Sequence, residues 1–167
     1  MAAPQNPVFI QLGIYIRDLL DYSESLIKFG RDNAELENTD INYIVVDELA
    51  SVPVGGAEQF DGVLESMAYG RAMVGGFTIN FYGLNAYINS RNYQLLQGSQ
   101  KSYELQRDLK IAVYHSSNVA DLRFLGGTQY SNRYEIELKV GYYESADVDT
   151  LRIDTLELDV LNNKQTR

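Results

Sequence analysis

The segment Arg133–Glu144, RYEIELKVGYYE, constrains this chain more than any other. Tyr134, Ile136, Leu138, Val140 and Tyr142 alternate strictly with Glu135, Glu137, Lys139, Gly141 and Tyr143. Successive side chains of an extended backbone point to opposite faces, so this pattern describes a strand with one apolar and one wet face. Such a strand needs paired neighbours on both edges and a helical layer over its apolar face.

The remaining segments offer both. Asn6-Pro7 reads as N-cap and first residue of a helix. Val8, Leu12, Tyr15, Leu19, Tyr22 and Leu26 then recur at three- and four-residue steps. That periodicity predicts an amphipathic helix of about six turns closing at Gly30. Ile41–Leu49 is β-branched and predicts a strand, broken by SVPVGG (Ser51–Gly56). GAEQFDG (Gly56–Gly62) then reads as an exposed acidic loop. FTINFY (Phe77–Tyr82) alternates with Phe77, Ile79 and Phe81 inward. Val63–Tyr69 is the expected antiparallel partner, turning at Gly70-Arg71 or at Gly75-Gly76. Leu84, Ile88, Leu95 and Leu96 mark a second helix that stops at Gly98, and Ser99 can cap a further short one. Lys110–His115 is a short strand, followed by a long polar connection. Leu151–Val160 is an edge-like last strand, with a slip in parity between Ile153 and Leu156 that suggests a bulge. A single domain is expected, ordered from about residue 6 to 161 and followed by a polar tail, 162–167.

Chemistry is harder to find. His115 is the only histidine and there is no cysteine, so neither a usual zinc site nor a disulfide framework is available. No Ser-His-Asp spacing and no phosphate-loop pattern is present, and His115 reads as a structural, hydrogen-bonded residue. Asp147, Asp149, Asp154, Glu157 and Asp159 lack the calcium-loop spacing. We therefore expect no catalytic residue, no metal and no cofactor. The formal net charge of −9 opposes a nucleic-acid grip, which needs a basic face. No apolar run reaches the ~20 residues of a membrane span. MAAPQNP lacks the features of a secretory signal, so synthesis in the cytoplasm is expected. Thirteen tyrosines suit half-wet sheet faces and subunit contacts.

The order of elements, with FTINFYGLNAY (Phe77–Tyr87), the small Val119–Leu122 segment, RYEIELKVGYYES and LRIDTLELDV, resembles the neck or tail terminator (tail-completion) proteins of tailed bacteriophages. The likeness runs from about Asn6 to Val160. Its break at Gly98-Ser99 departs from the single long helix usual in that family. The resemblance implies an α+β fold, with a mixed, mainly antiparallel sheet flanked by a long N-terminal helix and a second helix. It also implies a homo-oligomeric ring, commonly a hexamer, capping the head-proximal end of the tail tube. Partners would be the tube protein and a head-completion or connector protein, at the virion's tail–head joint. DNA would pass through without sequence-specific binding.

Ring closure needs a seam and a channel wall. Leu151, Ile153, Leu156 and Leu158 are candidate seam residues, because edge strands are natural seams. Glu58, Asp61, Asp147 and Asp149 are candidate channel-lining residues, because a negative wall lets the duplex slide. The competing class is a cytoplasmic monomeric domain binding a small ligand or peptide. A ring mass in solution, or genes for tail proteins beside this one, separates the two.

Overall fold

The structure, a computed structural model, describes residues 7–30, 41–61, 66–126 and 129–149. These form three α-helices and a mixed, mainly antiparallel sheet. The helices are α1 (Pro7–Leu20), α2 (Ala86–Gln97) and α3 (Gln100–Leu109). The sheet runs β1 (Ile27–Phe29), β2 (Tyr43–Asp61), β3 (Ser66–Tyr82), β8 (Arg133–Asp149) and β4 (Ala112–Ser116), in that spatial order. β5 (Ala120–Asp121) also pairs with β8, and β6 (Phe124–Gly126) with β7 (Gln129–Ser131) forms a separate hairpin.

The alternation in β8 is realised as expected. Tyr134, Ile136, Leu138, Val140 and Tyr142 are all buried, whereas Glu137, Lys139 and Tyr143 are exposed. Phe77, Ile79 and Phe81 lie opposite Leu138, Ile136 and Tyr134 and are fully buried with them. Val8, Leu12, Tyr15, Ile16 and Leu19 of α1 complete this core, with Phe9 packed edge-on against Phe77 at 5.6 Å. Gly141 sits on the opposite face, where the Tyr114 ring occupies the space a Cβ would need.

The N-terminal helix is shorter than its apolar period suggests. It ends at Leu20 because Asp21 turns left-handed (φ 52°) and the Tyr22 N–H reaches back to the Arg17 carbonyl at 2.8 Å. This is the Schellman closure, with aspartate in place of the usual glycine. Lys101 of α3 adds a cation at the same helix end, 3.1 Å from Asp21 and 3.5 Å from the Leu19 carbonyl. A short 3-10 turn (Glu24–Leu26) follows, and Ile27–Phe29 then pairs parallel with Ile44–Val46. Gly30 therefore caps no helix. Its N–H bonds the Val46 carbonyl.

The second correction is larger. Ser51–Gly56 does not break β2, and Glu58–Asp61 does not form a loop: one strand runs from Tyr43 to Asp61. Two register shifts, between Glu48 and Ala50 and between Pro53 and Gly55, absorb the residues that read as a break. Likewise neither Gly70-Arg71 nor Gly75-Gly76 turns the chain, because β3 is continuous from Ser66 to Tyr82. The long polar connection after β4 also contains β5, β6 and β7. β3 passes into α2 through Gly83, whose φ of +96°, with a Cβ there falling only 2.6 Å from the Ile41 carbonyl oxygen, suits only glycine. Asn42 Oδ1 accepts the Asn85 N–H at 2.7 Å, just before the helix. Gly98 separates α2 from α3, and the Ser99 side chain accepts the Ser102 N–H, as the sequence leads one to expect. The segment Leu151–Val160 and the polar tail lie outside the described residues.

Candidate assembly surfaces

The helical layer covers only part of the sheet. The core residues of β2, β3 and β8 stop at Val46, Phe77 and Tyr142. Beyond them the three strands continue in register as an arm that ends at the ladder Asp61–Ser66–Asp149. At ~3.3 Å per residue, Ala50–Asp61 extends roughly 36 Å. Residues 52–59 are exposed throughout. Where the start of α1 meets the root of the arm, an open groove of about 720 Å³ is lined by Val8, Gln11, Tyr69, Arg71, Tyr142 and Glu144.

The arm's register gathers all four candidate channel-lining residues. Glu58 pairs with Tyr69, which pairs with Ala146. Gln59 pairs with Ala68 and that with Asp147, while Asp61 and Asp149 share Ser66 as partner. Residues far apart in sequence thus occupy the last four ladder positions of one tip. Over segments 49–61, 66–76 and 141–149 there are five acidic residues, and Arg71 is the single base. The candidate seam residues Leu151, Ile153, Leu156 and Leu158 lie outside the described residues. His115 belongs to β4, where its Cα pairs with Lys139 at a register shift. Among the described residues, no group of three or more His, Asp or Glu side chains converges as a metal site would require.

The open face of the sheet, away from the helices, divides in two. Toward the base of the sheet it is closed by polar and aromatic groups. Tyr43 stacks on Tyr82 with centroids 4.6 Å apart, and Arg133 donates to Asn80 Oδ1 and to Glu135, each at 3.0 Å. Burial, reinforced by the Tyr82 hydroxyl, pushes the Tyr43 phenol up to about 12 against a small opposing pull from Arg133. Toward the arm the same face becomes apolar and open. Leu49, Val52 and Tyr143 are each more than half exposed, and Tyr114 beside them is 67% exposed. Val52 pairs with Val74, and Val74 with Gly141, so the patch crosses three strands.

α2 presents a second apolar surface. Of Leu84, Ile88, Leu95 and Leu96, which mark the helix in the sequence, Leu84 (in the turn before α2), Ile88 and Leu95 are 70%, 56% and 74% exposed, and Leu96 alone packs partly buried against the core. The buried face carries Ala86, Ser90 and Tyr93 instead. Small residues let the helix lie close to the sheet, and Tyr93 fills the core beside Phe81 and Tyr15. The stripe's spacing was visible in the sequence. What the spacing lacked was any sign of which side faced in.

Exposed apolar patches on opposite sides of one subunit are the mark of a protein that assembles. The family model for the phage neck terminator protein matches residues 9–164. The chain belongs to that family. No curated protein matches by sequence. Among solved structures, the chain is similar to the PVC sheath/tube terminator of an extracellular contractile injection system, in the extended state. The identity is 9% and the TM-score 0.40, over 95% of this chain and 65% of that one.

Proposed function

We propose that copies of this protein close into a ring, a hexamer, at the head-proximal end of the tail tube. The ring stops tube polymerisation and presents the surface that the head-completion or connector protein meets. The observation that carries this reading is the family match across nearly the whole chain. The ring leaves an axial channel for DNA, and the acidic arm tip with Glu58, Asp61, Asp147 and Asp149 faces it. A negative wall repels phosphate, whereas clustered lysines would bind it by releasing counterions. Leu151, Ile153, Leu156 and Leu158, which follow directly on β8, contribute to the subunit seam.

The test is to remove the protein from infected cells and image the particles. Tails of uncontrolled length, unjoined to heads, are expected. Tails of normal length joined to filled heads would overturn the assignment. The channel reading is tested separately by Glu58→Lys with Asp61→Lys. Particles carrying that ring should eject DNA slowly at low salt and recover at moderate salt. Unchanged ejection at both would take the tip out of the channel.

A further inference from the structure

The ring reading leaves open how one subunit holds the next, and the two exposed apolar surfaces bear on that question. One lies on the open sheet face at the root of the arm, around Leu49, Val52 and Tyr143. The other is the outward stripe at α2, with Ile88 and Leu95 on the helix and Leu84 in the turn before it. α2 packs with α1 on the helical side of the sheet, so the two surfaces are on opposite faces of the subunit. We propose that the sheet patch of one copy docks on the α2 stripe of the next copy.

Three observations favour this pairing. Contacts between different patches on opposite faces are heterologous, and a heterologous contact that closes makes a ring. The dimensions agree: Leu49–Val52 extends roughly 10 Å as a strand. Ile88–Leu95 covers roughly 10 Å along the helix. The charges agree as well. The three arm segments carry five acids against Arg71, whereas residues 84–110, in a chain of net charge −9, carry four bases (Arg91, Lys101, Arg107, Lys110) against Glu104 and Asp108. Arm meeting arm is therefore repulsive, and arm meeting the α2–α3 side is attractive. The sheet side of the contact is uncharged, since Leu49–Ala57 contains no charged residue, and the helix side carries Arg91 between Ile88 and Leu95. The acidic tip beyond it stays free for the channel.

This inference rests on the ring reading, and its test is independent of tails. The chain has no cysteine, so single cysteines report single contacts. Val52→Cys and Leu95→Cys variants are oxidised separately and as an equal mixture. The mixture should give a disulfide-linked dimer at least about tenfold faster than either variant alone, because docking raises the local thiol concentration. Fastest linking within Val52→Cys alone or Leu95→Cys alone would mean a two-fold contact and would overturn the pairing. So would no linking at all at high protein concentration.

A second measurement uses charge in place of sulfur. Val52→Asp and the double change Ile88→Asp/Leu95→Asp alter exposed side chains only, and circular dichroism checks that both fold. Each should be monomeric alone, whereas an equal mixture should yield dimers that grow no further, since the dimer uses up both intact surfaces and leaves only the two altered ones. Assemblies of wild-type size from either variant would refute the docking. Mixed cross-linking in a protein whose removal leaves tails unaffected would refute the terminator reading and leave this contact standing.

Discussion

Leu138 and Glu137 are adjacent in β8, on opposite faces, and substituting them measures the register that organises the sheet. Leu138 is 2% exposed and pairs with Phe77, itself fully buried. Leu138→Ala deletes buried methyl groups and leaves a cavity, at a cost of about 3 kcal/mol. Leu138→Asp adds an unpaired carboxylate to the same space, at several kcal/mol more. A domain of this size has about 5–15 kcal/mol in all. The alanine variant should therefore fold with a lower urea midpoint, and the aspartate variant should fail to fold or barely do so. Glu137→Lys changes an exposed group and should stay within about 0.5 kcal/mol of the parent. Urea titrations followed by circular dichroism give the ranking, provided the slope m is unchanged. A Glu137→Lys variant less stable than Leu138→Ala would refute the face assignment, and the register of β3 on β8 would have to be redrawn.

Gly83→Ala should cost about 1–3 kcal/mol, because φ is +96° and the new Cβ would lie 2.6 Å from the Ile41 carbonyl. Gly98→Ala, with open space around it and φ −88°, should be neutral or gain up to about 1 kcal/mol, and urea titration of the two variants checks both. Tyr15→Phe should cost about 1 kcal/mol by urea titration. It removes the 2.8 Å bond to Ser102, whose Oγ also accepts from Gln106, which in turn accepts the Val113 N–H. High pH should destabilise the fold. Burial pushes the Tyr43 phenol up to about 12 in the folded protein from the ordinary 10.0 of an unfolded chain, so its contribution is complete below about 10 and is lost as pH rises toward 12. Tyr15, Tyr82 and Tyr93 are shifted in the same direction by burial. Tyrosinate absorbance followed against circular dichroism checks this, and ionisation of every tyrosine near 10 with the fold intact would contradict it.

The core half of the sheet was legible because β8 and Phe77–Tyr82 alternate without interruption, and period-two alternation has one structural meaning. The end of α1 was not legible, since Tyr22, Leu26 and Ile27 continue the helical period past the real stop. Aspartate takes the left-handed C′ position less often than glycine, so Asp21 gave little warning. The arm was missed for a different reason. Pro53, Gly55 and Gly56 are strong turn residues by local preference. Among the described residues β2 pairs with β1 only at Ile44–Val46, so at Pro53 it is an edge strand. Proline is tolerated there, and the bulges take up the strain. The four acidic residues were chosen for their charge. Their convergence at one tip required the register, which no local pattern carries.

The arm also explains why its composition departs from that of the core. Strands exposed on both faces gain little from apolar burial, and a short ladder alone is marginal in water. Here each arm strand continues a core strand, so its register is already fixed at Val46, Phe77 and Tyr142 before it leaves the helical layer. Large apolar side chains along its whole length would make it an aggregation edge. Instead the tip carries acids, the middle carries Gly55, Gly56, Ala57, Gly70 and Ala72, and Leu49, Val52 and Tyr143 lie toward the root. In the docking proposed above, the acidic tip stays outside the contact and the uncharged root enters it.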